Sequence, residues 1–107
     1  MKLSELFDKY KIDNFFDFEV EGLAYNSKDV RDNFVFFAIR GEKSDGHNFI
    51  EEAINNGAKA VVVERRFKLN VNQIIVENTR EILSKISAKF YNYPSKKLFV
   101  IGITGTN

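Results

Sequence analysis

The chain has 107 residues, of which 44% are hydrophobic and 29% charged, and its 16 basic and 15 acidic side chains leave a net charge of +1. Those values suit one small soluble globular domain and exclude a disordered or membrane-embedded chain; basic residues adjoin only at Arg65-Arg66 and Lys96-Lys97, which argues against nucleic acid or an anionic membrane as partner. The absence of cysteine excludes a disulfide framework and a thiolate zinc site, and a single histidine excludes a His-rich metal site.

No basic segment followed by an apolar run marks a signal peptide. No apolar stretch nears the ~20 residues that span a bilayer, so a cytoplasmic location is expected.

In chain order, Lys2–Lys11 places Leu3, Leu6, Phe7 and Tyr10 at helical spacing and predicts a short packing helix. Phe15–Ala24 alternates loosely and predicts one strand, bent at Gly22, that delivers Tyr25-Asn26-Ser27 to its end. Arg31-Asp32-Asn33 predicts a turn, with Asn33 tolerant of a left-handed backbone. Phe34–Ile39 is continuously apolar and predicts a strand covered on both faces.

The chain leaves that strand through Gly41 into the loop Glu42-Lys43-Ser44. Asp45 then caps a helix over His47–Asn56, in which Phe49, Ile50, Ala53 and Ile54 share a face. Gly57 ends it, and Ala58–Glu64 predicts a buried strand. A polar link, Arg65–Asn72, leads to a strand at Gln73–Glu77. Thr79 is read as the N-cap of a helix to about Tyr91, with Ile82, Leu83, Ile86 and Phe90 as its stripe and Pro94 as its stop. Leu98–Ile103 predicts a last strand and Thr104–Asn107 the loop leaving it. Short buried strands alternating with helices predict an α/β fold: a small three-layer domain with a mixed or largely parallel sheet flanked by helices.

The stretch Tyr25–Ile50 is where polar groups converge on strand ends from two directions, and in α/β sheets ligands bind at such ends. Ser27 is the leading candidate for a hydrogen bond to a ligand, against the simpler role of a polar turn. Tyr25 either stacks on a ligand or packs. Asp45 and His47 at a helix start suit a cap better than catalysis. Glu77-Asn78-Thr79 reads as a cap with no site implied, and Glu51-Glu52 as a solvated face. No nucleophile–base pair or triad is visible. The terminal Ile101-Gly102-Ile103-Thr104-Gly105-Thr106-Asn107 runs from a strand into a glycine- and threonine-rich loop, the way a phosphate-binding loop begins, although no lysine follows at the general spacing.

Asn26-Ser27-Lys28, Val30, Phe36, Ala38, Gly41, Asp45-Gly46-His47-x-Phe49-Ile50, then Ala88-Lys89-Phe90-Tyr91, Pro94-Ser95 and Ile101–Asn107 together resemble the Mur ligase family of peptidoglycan synthesis, most closely its MurE type. The resemblance runs from about Leu23 to Asn107. It implies an N-terminal, UDP-substrate-binding domain over 1–97 and, over 98–107, the first strand and truncated phosphate loop of an ATP-binding domain. On that reading the sequence stops just before the family's Gly-Lys-Thr.

The implied intact enzyme is an ATP- and Mg²⁺-dependent ligase that adds the third amino acid, lysine or diaminopimelate, to UDP-MurNAc-L-Ala-D-Glu. The implied substrate contacts are Tyr25, Asn26, Ser27, Gly41, Glu42, Lys43, Ser44, Asp45 and His47. The implied ATP contacts are Thr104, Gly105, Thr106 and Asn107. The 107-residue chain by itself is expected to be an inactive monomer whose partner is the UDP-MurNAc-dipeptide. The alternatives are a MurF-type ligase, which adds D-Ala-D-Ala, and a non-catalytic α/β binding module. Asn26 and Lys28 stand where the family has Asp and Arg: the first keeps an acceptor without the charge, the second a charge without the bidentate fork. Asp32-Asn33 stands where the family has Pro-Gly.

Overall fold

A computed structural model describes residues 1–92. Four strands, β1 (Gly22–Ala24), β2 (Phe34–Phe37), β3 (Ala58–Val63) and β4 (Asn72–Ile75), form one sheet whose spatial order follows the chain. Every neighbouring pair is parallel. Helices α1 (Leu3–Leu6), α2 (Ile50–Asn55) and α3 (Thr79–Tyr91) and two 3₁₀ turns, Ser27–Asp29 and Gly46–Phe49, complete it.

Crossovers of one hand, in a sheet whose order never reverses, all fall on the same face. That is the arrangement here. Val30 from the first link, Ile50 and Ala53 from α2, and Phe67, Leu69 and Val71 from the third link pack with Ala24, Phe34, Phe36, Val61 and Val63. The opposite face is left to segments outside the run of strands. Leu3, Leu6 and Phe7 from the N-terminal segment and Ile86 and Phe90 of α3 cover Val35, Phe37, Ala60, Val62 and Ile74. The result is the three-layer α/β domain that the sequence predicts, with a fully parallel sheet. Parallel strands buried on both faces require apolar residues in succession, which is why β2 and most of β3 show no polar alternation.

One irregularity sets the register of β3. Phe34 pairs with Ala58 and Val35 with Ala60, so Lys59 is an extra residue. It reverses the alternation: Ala58 and Val61 face α2, Ala60 and Val62 face α3. The carbonyl of Lys59 accepts from Asn72 Nδ2 at 2.9 Å, and Asn72 Oδ1 accepts from the Phe16 N–H at 2.9 Å. These bonds satisfy a fully buried carboxamide at the start of β4. The turn before β2 also relies on β3: Asn33 has φ 65° and donates its N–H to the Gly57 carbonyl at 2.9 Å. Gly57 itself has φ 123°, and a Cβ there would lie 2.7 Å from Asp32 Cα.

Several predicted elements differ: the helix predicted over His47–Asn56 is a 3₁₀ turn, Gly46–Phe49, followed by α2 from Ile50, and the strand predicted over Gln73–Glu77 runs over Asn72–Ile75. The first helix stops at Leu6 instead of Lys11. The strand predicted over Phe15–Ala24 is regular only over Gly22–Ala24. Asp13 instead pairs antiparallel with Gln73 of β4, and residues 17–20 wrap the start of α1: Asp17 accepts from the Ser4 N–H and hydroxyl at 2.9 and 2.6 Å, Phe18 accepts from the Leu3 N–H, and Val20 donates to the Met1 carbonyl. Gly22 marks a close approach, since a Cβ there would sit 2.5 Å from the Phe34 ring. Finally, the N-cap of α3 is Asn78, whose Oδ1 accepts from the Glu81 N–H at 3.1 Å, and Thr79 is its first residue. The predicted stop at Pro94, the strand Leu98–Ile103 and the loop Thr104–Asn107 lie outside the described residues.

Candidate functional site

All four strands end at the same edge of the sheet, and the loops after β1 and β2 meet there with the first turns of α3. Between them lies a cavity of about 700 Å³. The loop after β1 contributes Tyr25, Asn26, Ser27 and Lys28. The segment from β2 onward contributes Phe36, Ile39, Gly41, Ser44, Gly46 and Phe49, and α3 contributes Arg80 and Leu83. The size and the mixture of apolar walls with a few polar groups are those of a small-molecule site.

The link between β1 and β2, residues 25–33, has no room for a helical crossover and closes through a single 3₁₀ turn. Asn26 caps that turn, its Oδ1 accepting from the Lys28 N–H at 3.0 Å. The pair at 26 and 28 therefore meets through side chain and backbone, a role that needs an acceptor and no charge. Ser27 is 5% exposed, and its carbonyl accepts from Asn56 Nδ2 at 2.8 Å. Its hydroxyl has no partner among the described residues, and the residue is part of the cavity lining. Tyr25 stands at the rim, 48% exposed.

The loop after β2 is a closed hairpin. Arg40 bridges Asp45, and the Gly41 N–H donates to the Ser44 carbonyl at 2.8 Å. Gly41 and Ser44 line the cavity, whereas Glu42 and Lys43 form the exposed tip. Gly46 follows tightly, its N–H donating to the Ile39 carbonyl at 2.8 Å; a Cβ there would lie 2.6 Å from Ile39 N.

Asp45 and His47 are placed behind this wall. Asp45 Oδ1 accepts from the His47 N–H at 3.0 Å and lies 2.6 Å from His47 Nδ1. His47 Nε2 accepts from the Glu64 N–H at 2.9 Å, so the proton is assigned to Nδ1, which donates to Asp45. The His47 N–H, then the ring, hold the Asp45 carboxyl below its ordinary range. The imidazole stacks on Phe67, with 5.7 Å between centroids, and both nitrogens are engaged in holding the corner.

Glu64, at the end of β3, is the hub that sequence reasoning missed. Its Oε2 accepts from the Thr79 N–H at 3.0 Å and the Thr79 hydroxyl at 3.1 Å; its Oε1 accepts from Arg40 Nη2 at 2.9 Å. The Thr79 N–H is the largest of the causes that hold its carboxyl below the ordinary range, against some desolvation. Glu64 thereby ties β3 to the hairpin and to the start of α3. Arg80 and Leu83 were missed as well. The available signal was topological: a helix that starts just after a parallel strand starts at the edge where ligands bind. Among the described residues no group of three His, Cys, Asp or Glu could hold a metal ion, and no helix is long and apolar enough to cross a membrane.

Residues 19–91 match the Mur ligase family, catalytic domain. The chain is similar to the UDP-N-acetylmuramoyl-L-alanyl-D-glutamate–2,6-diaminopimelate ligase of Aquifex aeolicus, 54% identical over 88 residues that cover 82% of this chain and 18% of that protein. It is also similar to the UDP-N-acetylmuramyl-tripeptide synthetase of Borreliella afzelii, 44% identical over 112 residues that cover 100% of this chain and 22% of that protein. Among solved structures, MurF from Acinetobacter baumannii superposes with a TM-score of 0.69 at 26% identity, over 80% of this chain and 19% of that one. MurF from Thermotoga maritima in complex with ADP gives 0.60 at 37% identity, over 69% and 18%. The chain spans about a fifth of the length of the curated relatives it matches.

Proposed function

This chain belongs to the Mur ligase family, and from that premise we propose that its folded unit holds the UDP end of UDP-MurNAc-L-Ala-D-Glu for an ATP-dependent, amide-bond-forming ligase that adds the third amino acid. The observation that carries this reading is the cavity at the strand ends. It offers the Ser27 hydroxyl, which has no partner among the described residues, aromatic and aliphatic walls from Tyr25, Phe36, Ile39 and Phe49, and two cations, Lys28 and Arg80, with no carboxylate among the described residues of the lining. A nucleoside diphosphate pairs a flat, partly apolar base with two to three negative charges, and these walls complement both. Asn26, Gly41 and Ser44 would contribute through backbone and amide groups. Asp45 and His47 would hold the hairpin that presents them, with Glu42 and Lys43 at its tip.

The domain's contribution to the reaction is orientation. Binding a remote part of the substrate aligns the reacting carboxylate elsewhere without touching it. ATP and Mg²⁺ belong, on this proposal, to the loop that opens at Thr104–Asn107, outside the described residues. Peptidoglycan-precursor synthesis in the cytoplasm is the setting that the reading implies, and the 107-residue chain alone is proposed to release no ADP.

The MurF neighbours favour a second reading for the longer protein, addition of D-Ala-D-Ala. Both ligases take a UDP-linked substrate, so the role of this domain is the same in each. The test is an NMR titration of the chain with UDP and then with UDP-MurNAc-dipeptide. Shifts confined to Tyr25–Lys28, Gly41–Phe49 and the start of α3 are expected; unchanged spectra at millimolar UDP would refute the proposal.

A further inference from the structure

Lys28 and Arg80 approach the cavity from different walls, and their surroundings differ. Both are exposed; Lys28 sits on a flexible stem with no ion pair among the described residues. Arg80 donates Nη2 to the Arg40 carbonyl at 3.2 Å. That bond tethers one arm of the guanidinium to the hairpin. The group carries five N–H donors, so the rest of the fork is left without a partner among the described residues.

The residue before Arg80 is also fixed. Thr79 is buried and is clamped through both its N–H and its hydroxyl by Glu64. The same carboxylate pairs with the Arg40 side chain. One anion therefore positions the turn that carries Arg80 and the residue whose carbonyl tethers it. It also occupies Arg40, so that of these two arginines Arg80 is the one with no carboxylate partner among the described residues.

A planar fork held in one place suits phosphate oxygens, which it can meet with two parallel bonds, whereas a lysine offers a mobile point charge. We infer that Arg80 is the residue that reads the phosphates of the bound nucleotide, with Glu64 as its positioning residue. The inference rests on the reading that the cavity takes a nucleoside diphosphate, and it divides the labour there: the walls around Tyr25, Phe36 and Phe49 take the base, and Arg80 takes the charge.

The experiment compares the affinities of the 107-residue chain for uridine and for UDP, by NMR titration, in the wild type and in Arg80→Gln, Arg80→Lys and Glu64→Gln. Loss of a charge-assisted bond predicts that Arg80→Gln weakens UDP about tenfold and leaves uridine unchanged. Arg80→Lys restores part of the loss and serves as the readout should the glutamine variant fold poorly. Glu64→Gln, held well below its unfolding midpoint, lowers the UDP-over-uridine preference in the same direction while uridine affinity persists. A purely structural role for Glu64 would weaken both ligands together. An Arg80→Gln chain with an unchanged unfolding midpoint and the wild-type preference would overturn the inference. A wild type that binds uridine and UDP equally would also overturn it while leaving base recognition standing. A wild type that binds neither would remove the proposed function itself.

Discussion

Replacing Glu64 with alanine removes the acceptor for the Thr79 N–H and hydroxyl, at 3.0 and 3.1 Å, and the partner of Arg40. The exposed Arg40 end adds little, because ion pairs in water contribute little. The Thr79 end is different. Thr79 is 1% exposed and the Glu64 side chain 17% exposed, so water does not fully replace the lost acceptor. A hydrogen bond to a charged group contributes about 1.5–3 kcal/mol, and stranding the buried N–H puts the cost of Glu64→Ala at about 2–3 kcal/mol. In a domain of this size that lowers the melting temperature by roughly 10–20 °C. Glu64→Gln keeps a carbonyl for the Thr79 N–H and should lose about half as much.

Acid supplies an internal control. The folded-state carboxyl of Glu64 titrates below its ordinary value of 4.5, so its contribution is present above that value and is lost as pH falls through the lower, folded one. Urea unfolding at about pH 7 and at about pH 3.5 should therefore show the gap between wild type and Glu64→Ala narrowing in acid, even as other carboxylates destabilise both proteins. An alanine variant within ~0.5 kcal/mol of the wild type, or a gap of equal size at both pH values, would refute the argument that Glu64 clamps the start of α3.

Two further substitutions separate site from scaffold. Ser27→Ala removes a hydroxyl with no partner among the described residues, so its unfolding free energy should stay within ~0.5 kcal/mol of the wild type, while UDP affinity by titration falls several-fold; a stability loss with unchanged UDP binding would reverse the assignment. Gly57→Ala forces a side chain into φ 123° and to within 2.7 Å of Asp32, so chemical denaturation should reveal a loss of about 2–3 kcal/mol, and a neutral result would show that the Asn33–Gly57 turn can move aside.

Much of this protein is written in short-range signals. The apolar runs at Phe34–Phe37 and Ala60–Val63 demand burial on both faces, and so announce parallel strands. Gly57 and Asn33 adopt the positive φ values their side chains allow, and Asp45 caps the turn that follows it. These features depend on dihedral preference and on neighbours a few residues away, which a sequence displays directly. The convergence of Tyr25–Ser27 with Gly41 and Ser44 was legible for a related reason: two consecutive parallel strands must end at the same edge.

What only the tertiary structure decided rests on contacts between distant residues. The first helix ends at Leu6 and residues 17–20 leave the sheet because Asp17, Phe18 and Val20 bond to the N-terminal turn, up to 19 positions away. Thr79 reads as a cap in isolation, but Glu64, 15 residues earlier, captures it, and Asn78 takes the capping role. Arg80 reaches the cavity beside a carbonyl 40 residues away. Local propensity cannot register such pairings, because each partner is unremarkable in its own stretch of chain. Glutamate after a strand and arginine in a helical first turn gain their meaning when the order β1-β2-β3-β4 sets the strand ends side by side.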